Sequence, residues 1–167
     1  YDDEKNAFTL KRLTLMSELD RAIDQNQLLF HYQPKVDTRS KQITQVECLV
    51  RWDHPRKGEI PPDEFVPLAE QTHQIHKLTR WAIESALAQA RHWANQGLYL
   101  AVAVNVSAHD LLSGDLVELI QLNLARFGQP AGRFILEVTE SAAMIDKEKS
   151  LQVLHQLNAL GIHIAID

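Results

Sequence analysis

Four short apolar runs in this chain each carry one oxygen donor. They are Val46-Glu47-Cys48-Leu49-Val50, Ala103-Val104-Asn105-Val106, Ile135-Leu136-Glu137-Val138 and Ile164-Ala165-Ile166-Asp167. Runs this short and this rich in β-branched residues read as core strands. A charged group inside such a strand is costly unless something pairs with it. One donor on each of four strands therefore points to a single shared cation. Glu, Asn, Glu and Asp are hard oxygen ligands, which favours Mg²⁺, Mn²⁺ or Ca²⁺ over Zn²⁺. No Cys and His pair has zinc-finger spacing. A cation held this way would bridge a phosphate and activate a water.

Each donor also has an ordinary structural alternative. Asn105 can be a hydrogen-bonded core amide. Glu137 can pair with an arginine such as Arg51. Asp167 can cap the next element, and Glu47 can form an ion pair across the sheet with Arg51. Four such coincidences at strand ends are less economical than one site. Gln33, beside Pro34 on the first strand, suits turn chemistry or a ligand contact. Arg51 suits a phosphate, because its planar fork matches two oxygens. Trp52 can stack on a base or fill the core, and Trp81 and Trp93 have the spacing of core residues. Cys48 reads as a small core residue. His73 and His76 lie too near a helix start to form a ligand pair.

The elements that position these residues follow from the pattern. Leu28 to Val36 and Ile43 to Trp52 read as a hairpin, with Pro34 arguing for an edge or a bulge. A helix with Leu13, Met16, Leu19, Ala22 and Ile23 on one face precedes them. Asp53 to Pro62 reads as a loop, and Asp63 as the N-cap of a short helix through Glu70. A long helix from about His76 to Gln96 ends at Gly97. Strand, helix, strand, helix, strand then follow, over 100–106, 115–127, 134–139, 147–160 and 162–167. Near-continuous apolar strands alternating with helices mean a parallel sheet covered by helices. A doubly wound sheet and a (β/α)8 barrel both satisfy the right-handed crossover rule. In either, function gathers at the C-terminal ends of strands, where Asn105, Glu137 and Asp167 lie.

Composition narrows the class. The 167 residues are 45% hydrophobic and 23% charged, with a formal net charge of −5. That is an ordinary globular balance, and it argues against a non-specific DNA binder, which would carry a basic face. No apolar run has the length of a membrane span, and the start has no signal-peptide pattern. The lone Cys48 fits a reducing compartment. A cytoplasmic location is the expectation, with a membrane anchor elsewhere in a parent protein left open.

At these residues the chain resembles the EAL-domain family of bacterial cyclic di-GMP phosphodiesterases. Tyr32-Gln33-Pro34-Lys35 resembles the family's opening motif, and Glu47-Cys48-Leu49-Val50-Arg51-Trp52 resembles the signature that names it, with Cys48 in place of the usual alanine. Ile60 to Glu70, Val104-Asn105-Val106-Ser107, Leu136-Glu137-Val138-Thr139-Glu140 and Ile164 to Asp167 follow in family order. The resemblance implies an α/β fold, a (β/α)8 barrel of the TIM type whose first strand is antiparallel, with about five of eight strands in this sequence. Residues 1–8 would be a linker from a preceding, GGDEF-type domain, and 9–167 the N-terminal part of the EAL domain. It also implies that Glu47, Asn105, Glu137 and Asp167 hold one or two Mg²⁺ or Mn²⁺ ions, with Ca²⁺ inhibitory and with Glu47 and Asp167 catalytic. Gln33 and Arg51 would touch cyclic di-GMP, Leu49, Pro61 and Phe65 would line its guanine and ribose region, and Glu140 would support the site from behind. The implied reaction is hydrolysis of cyclic di-GMP to linear pGpG by the parent domain, with a non-catalytic cyclic di-GMP receptor as the alternative. A homodimer is expected of the complete domain. Because such a barrel takes roughly 250 residues, a chain ending at Asp167 is expected to be inactive alone and to expose open sheet edges.

Overall fold

The computed structural model describes residues 2–166, with the backbone alone for residues 2–9 and Lys11. The fourth donor, Asp167, therefore lies outside the described residues. The chain divides into two compact units, one of residues 1–30 and 50–78, the other of residues 31–49 and 79–167. Strands β1 (Leu28–Val36) and β2 (Ile43–His54) and helix α3 (Gln74–Asn95) each pass from one unit into the other.

In the first unit, helix α1 (Asp2–Asp24) begins before the expected linker ends, so residues 2–8 are helical. Leu15, Leu19, Ala22 and Ile23 on its inner face are buried. The far end of β2 pairs antiparallel with a short strand, β3 (Gly58–Ile60), so that Trp52 lies opposite Ile60 and His54 opposite Gly58. The stretch read as a loop thus contains a strand, too short for alternation to reveal. Helix α2 (Pro62–Gln71) starts two residues earlier than an Asp63 cap implies. Its N-cap is Pro61, without a side-chain bond, and Pro62 opens the helix, where a missing N–H costs nothing. Asp63 is not the cap; it joins Glu64 in the first turn, facing the positive end of the helix dipole. Trp52 and Phe65 are fully buried, edge to face with ring centres 5.6 Å apart.

The second unit holds a sheet in the order β1-β2-β4-β5-β6. Here β4 is Ala101–Asn105, β5 Phe134–Val138 and β6 His163–Ile166. The first pair is antiparallel, while β2, β4, β5 and β6 run parallel. Strand β1 is at the end of the order, as Pro34 requires. Every residue of β5 is buried, the mark of a strand covered on both faces. Helices α5 (Leu116–Phe127) and α7 (Lys147–Ala159) provide the crossovers, and two short helices, α4 (Ala108–Leu111) and α6 (Glu140–Met144), follow the strand ends. Gly128 closes α5 at φ 59°, a left-handed conformation glycine adopts without strain. Trp81 and Trp93 are half-buried rather than core, and Trp93 packs edge-on against Tyr32.

Candidate active site

The site is built on three neighbouring parallel strands of the second unit. Asn105 is the last residue of β4 and lies in register with Glu137 on β5. Glu47 lies midway along β2, level with Ala103. Asn105 donates its side-chain N–H to Glu47 Oε1 at 3.1 Å. Glu137 is 2% exposed, Glu47 18%. Asn105 is exposed.

Two local sequence features fix the strand ends. Asn105-Val106-Ser107 and Glu137-Val138-Thr139 share one arrangement of donor, valine and hydroxyl. Ser107 caps α4 by accepting from the Asp110 N–H at 3.2 Å, and Thr139 caps α6 by accepting from the Ala142 N–H at 3.1 Å. The turn after Asn105 is pinned further by buried Asp110, whose Oδ2 accepts from Thr79 Oγ1 at 2.6 Å and Ser107 Oγ at 2.7 Å. Each donor therefore sits two residues before a rigid helix start.

The residue that sequence reasoning missed is Lys35. Its Nζ lies 2.5 Å from Glu137 Oε1 and 3.3 Å from Glu47 Oε2. The signal for it was strand alternation: Lys35 follows Gln33 by two residues on β1, so both face the same side. The partner of Glu137 is thus a lysine, while Arg51, in the first unit, is 3.7 Å from Glu59 and donates to its neighbour's carbonyl, Val50 O, at 2.8 Å.

The electrostatics of the pair are asymmetric. Burial and the neighbouring Glu47 push the Glu137 carboxyl up from its ordinary value, against the pull of Lys35. Burial acts the same way on Glu47, but donation from Asn105 and Lys35 outweighs it and holds that carboxyl down. Glu137 Oε2 is buried and has no hydrogen-bond partner among the described residues. An orphaned carboxylate oxygen beside a second carboxylate and an amide is a donor set suited to a hard divalent cation. Among the described residues no three His, Cys, Asp or Glu side chains form a cage by themselves. The two carboxylates and the Asn105 amide supply the described part of the set.

The remaining expected residues are placed separately. Gln33 is exposed on β1 and Leu49 half-buried on β2. Glu140 opens α6 and is exposed. In the first unit, Pro61 is exposed at the start of α2, whereas Phe65 is buried against Trp52.

Comparison with known proteins follows the same outline. The EAL domain profile matches residues 16–167. The chain is 39% identical over 168 residues to the Pseudomonas aeruginosa protein described as bifunctional diguanylate cyclase/cyclic di-GMP phosphodiesterase MucR, covering 100% of this chain and 24% of that one. It is 33% identical over 167 residues to the Escherichia coli cyclic di-GMP phosphodiesterase PdeR, covering 100% of this chain and 25% of that one. The chain thus spans about a quarter of the length of these curated relatives. Among solved structures, the MucR phosphodiesterase in complex with cyclic di-GMP superposes with a TM-score of 0.88 at 41% identity, over 92% of this chain and 63% of that one. The Xanthomonas citri FimX EAL domain, in complex with cyclic di-GMP, superposes at 0.85 with 19% identity over 95% of this chain and 62% of that one, a likeness of fold. No described helix is long and apolar enough to cross a membrane.

Proposed function

The chain belongs to the EAL-domain family of cyclic di-GMP phosphodiesterases, and from that membership we propose that the complete domain hydrolyses one phosphodiester of cyclic di-GMP to give linear pGpG with the help of Mg²⁺ or Mn²⁺. Glu47, Asn105, Glu137 and Asp167 would hold the cation. When bound, it supplies positive charge to the phosphate oxygens and lowers the pKa of a water. Gln33 and Arg51 would orient the dinucleotide, Arg51 through a phosphate. Leu49, Pro61 and Phe65 would shape the base and ribose region, Phe65 from beneath by packing against Trp52. Glu140, at the start of α6, would steady the turn that follows Glu137. A cytoplasmic setting and a homodimer of the complete domain belong to the same reading.

The observation that carries the proposal is the convergence of Glu47, Asn105 and Glu137, with Glu137 Oε2 buried and unpartnered among the described residues. All three donors are intact, which favours hydrolysis over a receptor that binds without turnover. The test is pGpG release from cyclic di-GMP by the full-length protein with Mg²⁺ or Mn²⁺, beside Glu47→Ala. Turnover in the wild type and its loss in the variant are expected. Tight cyclic di-GMP binding without turnover in the wild type would replace the enzyme with a receptor.

A further inference from the structure

Lys35 lies between the two carboxylates that the proposed reaction assigns to a metal, and it is itself a cation. It reaches Oε1 of Glu137 and Oε2 of Glu47. A lysine head is a compact point charge. It satisfies one oxygen of Glu137 and leaves the other, buried Oε2, without a partner among the described residues. The arrangement is therefore charge-balanced in part and hydrogen-bonded in part. Two close carboxylates repel, and a single positive charge between them makes their approach tolerable. It does not complete the donor set.

We propose that Lys35 is a resident counter-cation of the Glu47 and Glu137 pair, which holds the two carboxylates together in the metal-free domain and competes with the divalent cation that binds there. This inference rests on the reading that Glu47 and Glu137 are metal ligands. Lys35 is a positioning residue: it acts through the two carboxylates. Its charge opposes that of an incoming cation a few ångströms away, so it lowers the affinity of the site while keeping it assembled. The bland alternative is a lysine that only stabilises the fold; such a residue would leave metal affinity unchanged when replaced.

The test is calorimetric titration of the full-length protein with Mn²⁺ and Mg²⁺, joined to melting temperatures with and without metal. Lys35→Met is expected to bind metal at least about tenfold more tightly, to melt lower than wild type without metal, and to gain more from metal. Lys35→Arg, which keeps the charge, is expected to retain wild-type affinity. Lys35→Gln, which drops the charge and keeps a donor, gives the same reading as Lys35→Met where the latter does not fold. Unchanged or weaker affinity in a folded, charge-free variant overturns the role of Lys35. Glu137→Gln separates the two levels. Binding that is lost in Glu137→Gln but unchanged in Lys35→Met rejects the lysine's role alone, whereas binding indifferent to Glu137→Gln rejects the metal site and the lysine's role with it.

Discussion

Lys35 on β1 and Glu137 on β5 meet at 2.5 Å although 102 residues and two intervening strands separate them. In a flat sheet three strand spacings amount to about 14 Å. Side chains stand roughly perpendicular to a sheet, so heads on a flat one would stay apart. Their meeting shows that the sheet of the second unit curls strongly, with Lys35 and Glu137 on its concave side. That curvature is what a barrel requires, and it turns donors from separate strands into one site.

Removal of the Glu137 carboxylate separates catalysis from stability. Glu137→Ala leaves the Lys35 head without its nearest partner. Because the Lys35 side chain is 37% exposed, solvent compensates in part, and the expected loss is about 1–2 kcal/mol by denaturant titration. Glu137→Gln keeps the shape and is expected to cost less. Both are expected to lower cyclic di-GMP turnover by at least about a hundredfold, since even partners behind metal ligands cost ten- to a hundredfold. Normal turnover in Glu137→Gln would remove Glu137 from the site.

Cys48, next to Glu47 in the signature, is 3% exposed. Burial first, then the charges of Glu47 and Glu137, push its thiol up to about 12. A thiol in that state is a poor nucleophile near neutral pH. Native protein at pH 8 is therefore expected to leave Cys48 unlabelled by an aromatic disulfide reagent, with full labelling in denaturant. Cys48→Ala is expected to keep turnover.

Glu18 on α1 gives the acid limb of stability. Its carboxylate accepts from Lys57 Nζ at 2.5 Å and Arg56 Nη2 at 3.0 Å, and lies 3.3 Å from His54 Nε2. The backbone N–H groups of Arg56 and Lys57 donate to His54 Nδ1, so the ring proton faces Glu18. Lys57 is the main cause that holds Glu18 below its ordinary value of 4.5. A carboxyl lowered on folding contributes stability above its unfolded pKa and loses it as pH falls through the folded one. Wild type is thus expected to lose stability as pH drops below about 4.5, and Glu18→Gln to lose less over that span. Melting curves from pH 6 to pH 3 check this; parallel curves for the two proteins would contradict it.

The residues explain why some features were legible and others not. Strands β4 and β5 were readable because buried parallel strands are apolar nearly throughout, and each interrupting donor was conspicuous against that background; β6 was readable from its short Ile164-Ala165-Ile166 run, although none of its described residues is buried. Pro34 announced the edge strand for the same local reason. The short elements β3, α4 and α6, of three, four and five residues, span little more than one period of their own pattern, too little for a repeat to show. Alternation could place Lys35 on the Gln33 face of β1, but not name its partner, which depends on the curl of the sheet and is encoded by no local pattern. Arg51 shows the same limit: Glu59 is its neighbour through the β2 and β3 pairing.

Trp52 had two readings in the sequence, a platform for a base and a core residue, and the structure favours the second. The indole is fully buried, its ring centre 5.6 Å from that of Phe65, and its N–H reaches Gln27 Oε1 at 3.4 Å. A side chain with no exposed face cannot stack on a ligand. Trp52→Phe is therefore expected to leave the KM for cyclic di-GMP unchanged while costing about 1–3 kcal/mol, from lost volume and a lost donor. Trp52→Ala is expected to cost about 3–5 kcal/mol. A double-mutant cycle with Phe65→Ala should return a coupling of about 0.5–1.5 kcal/mol, the share due to the edge-to-face pair. The distinguishing readout is KM: a large rise in folded Trp52→Phe, with stability barely altered, would restore the base-stacking role and show that the indole becomes accessible when the dinucleotide binds.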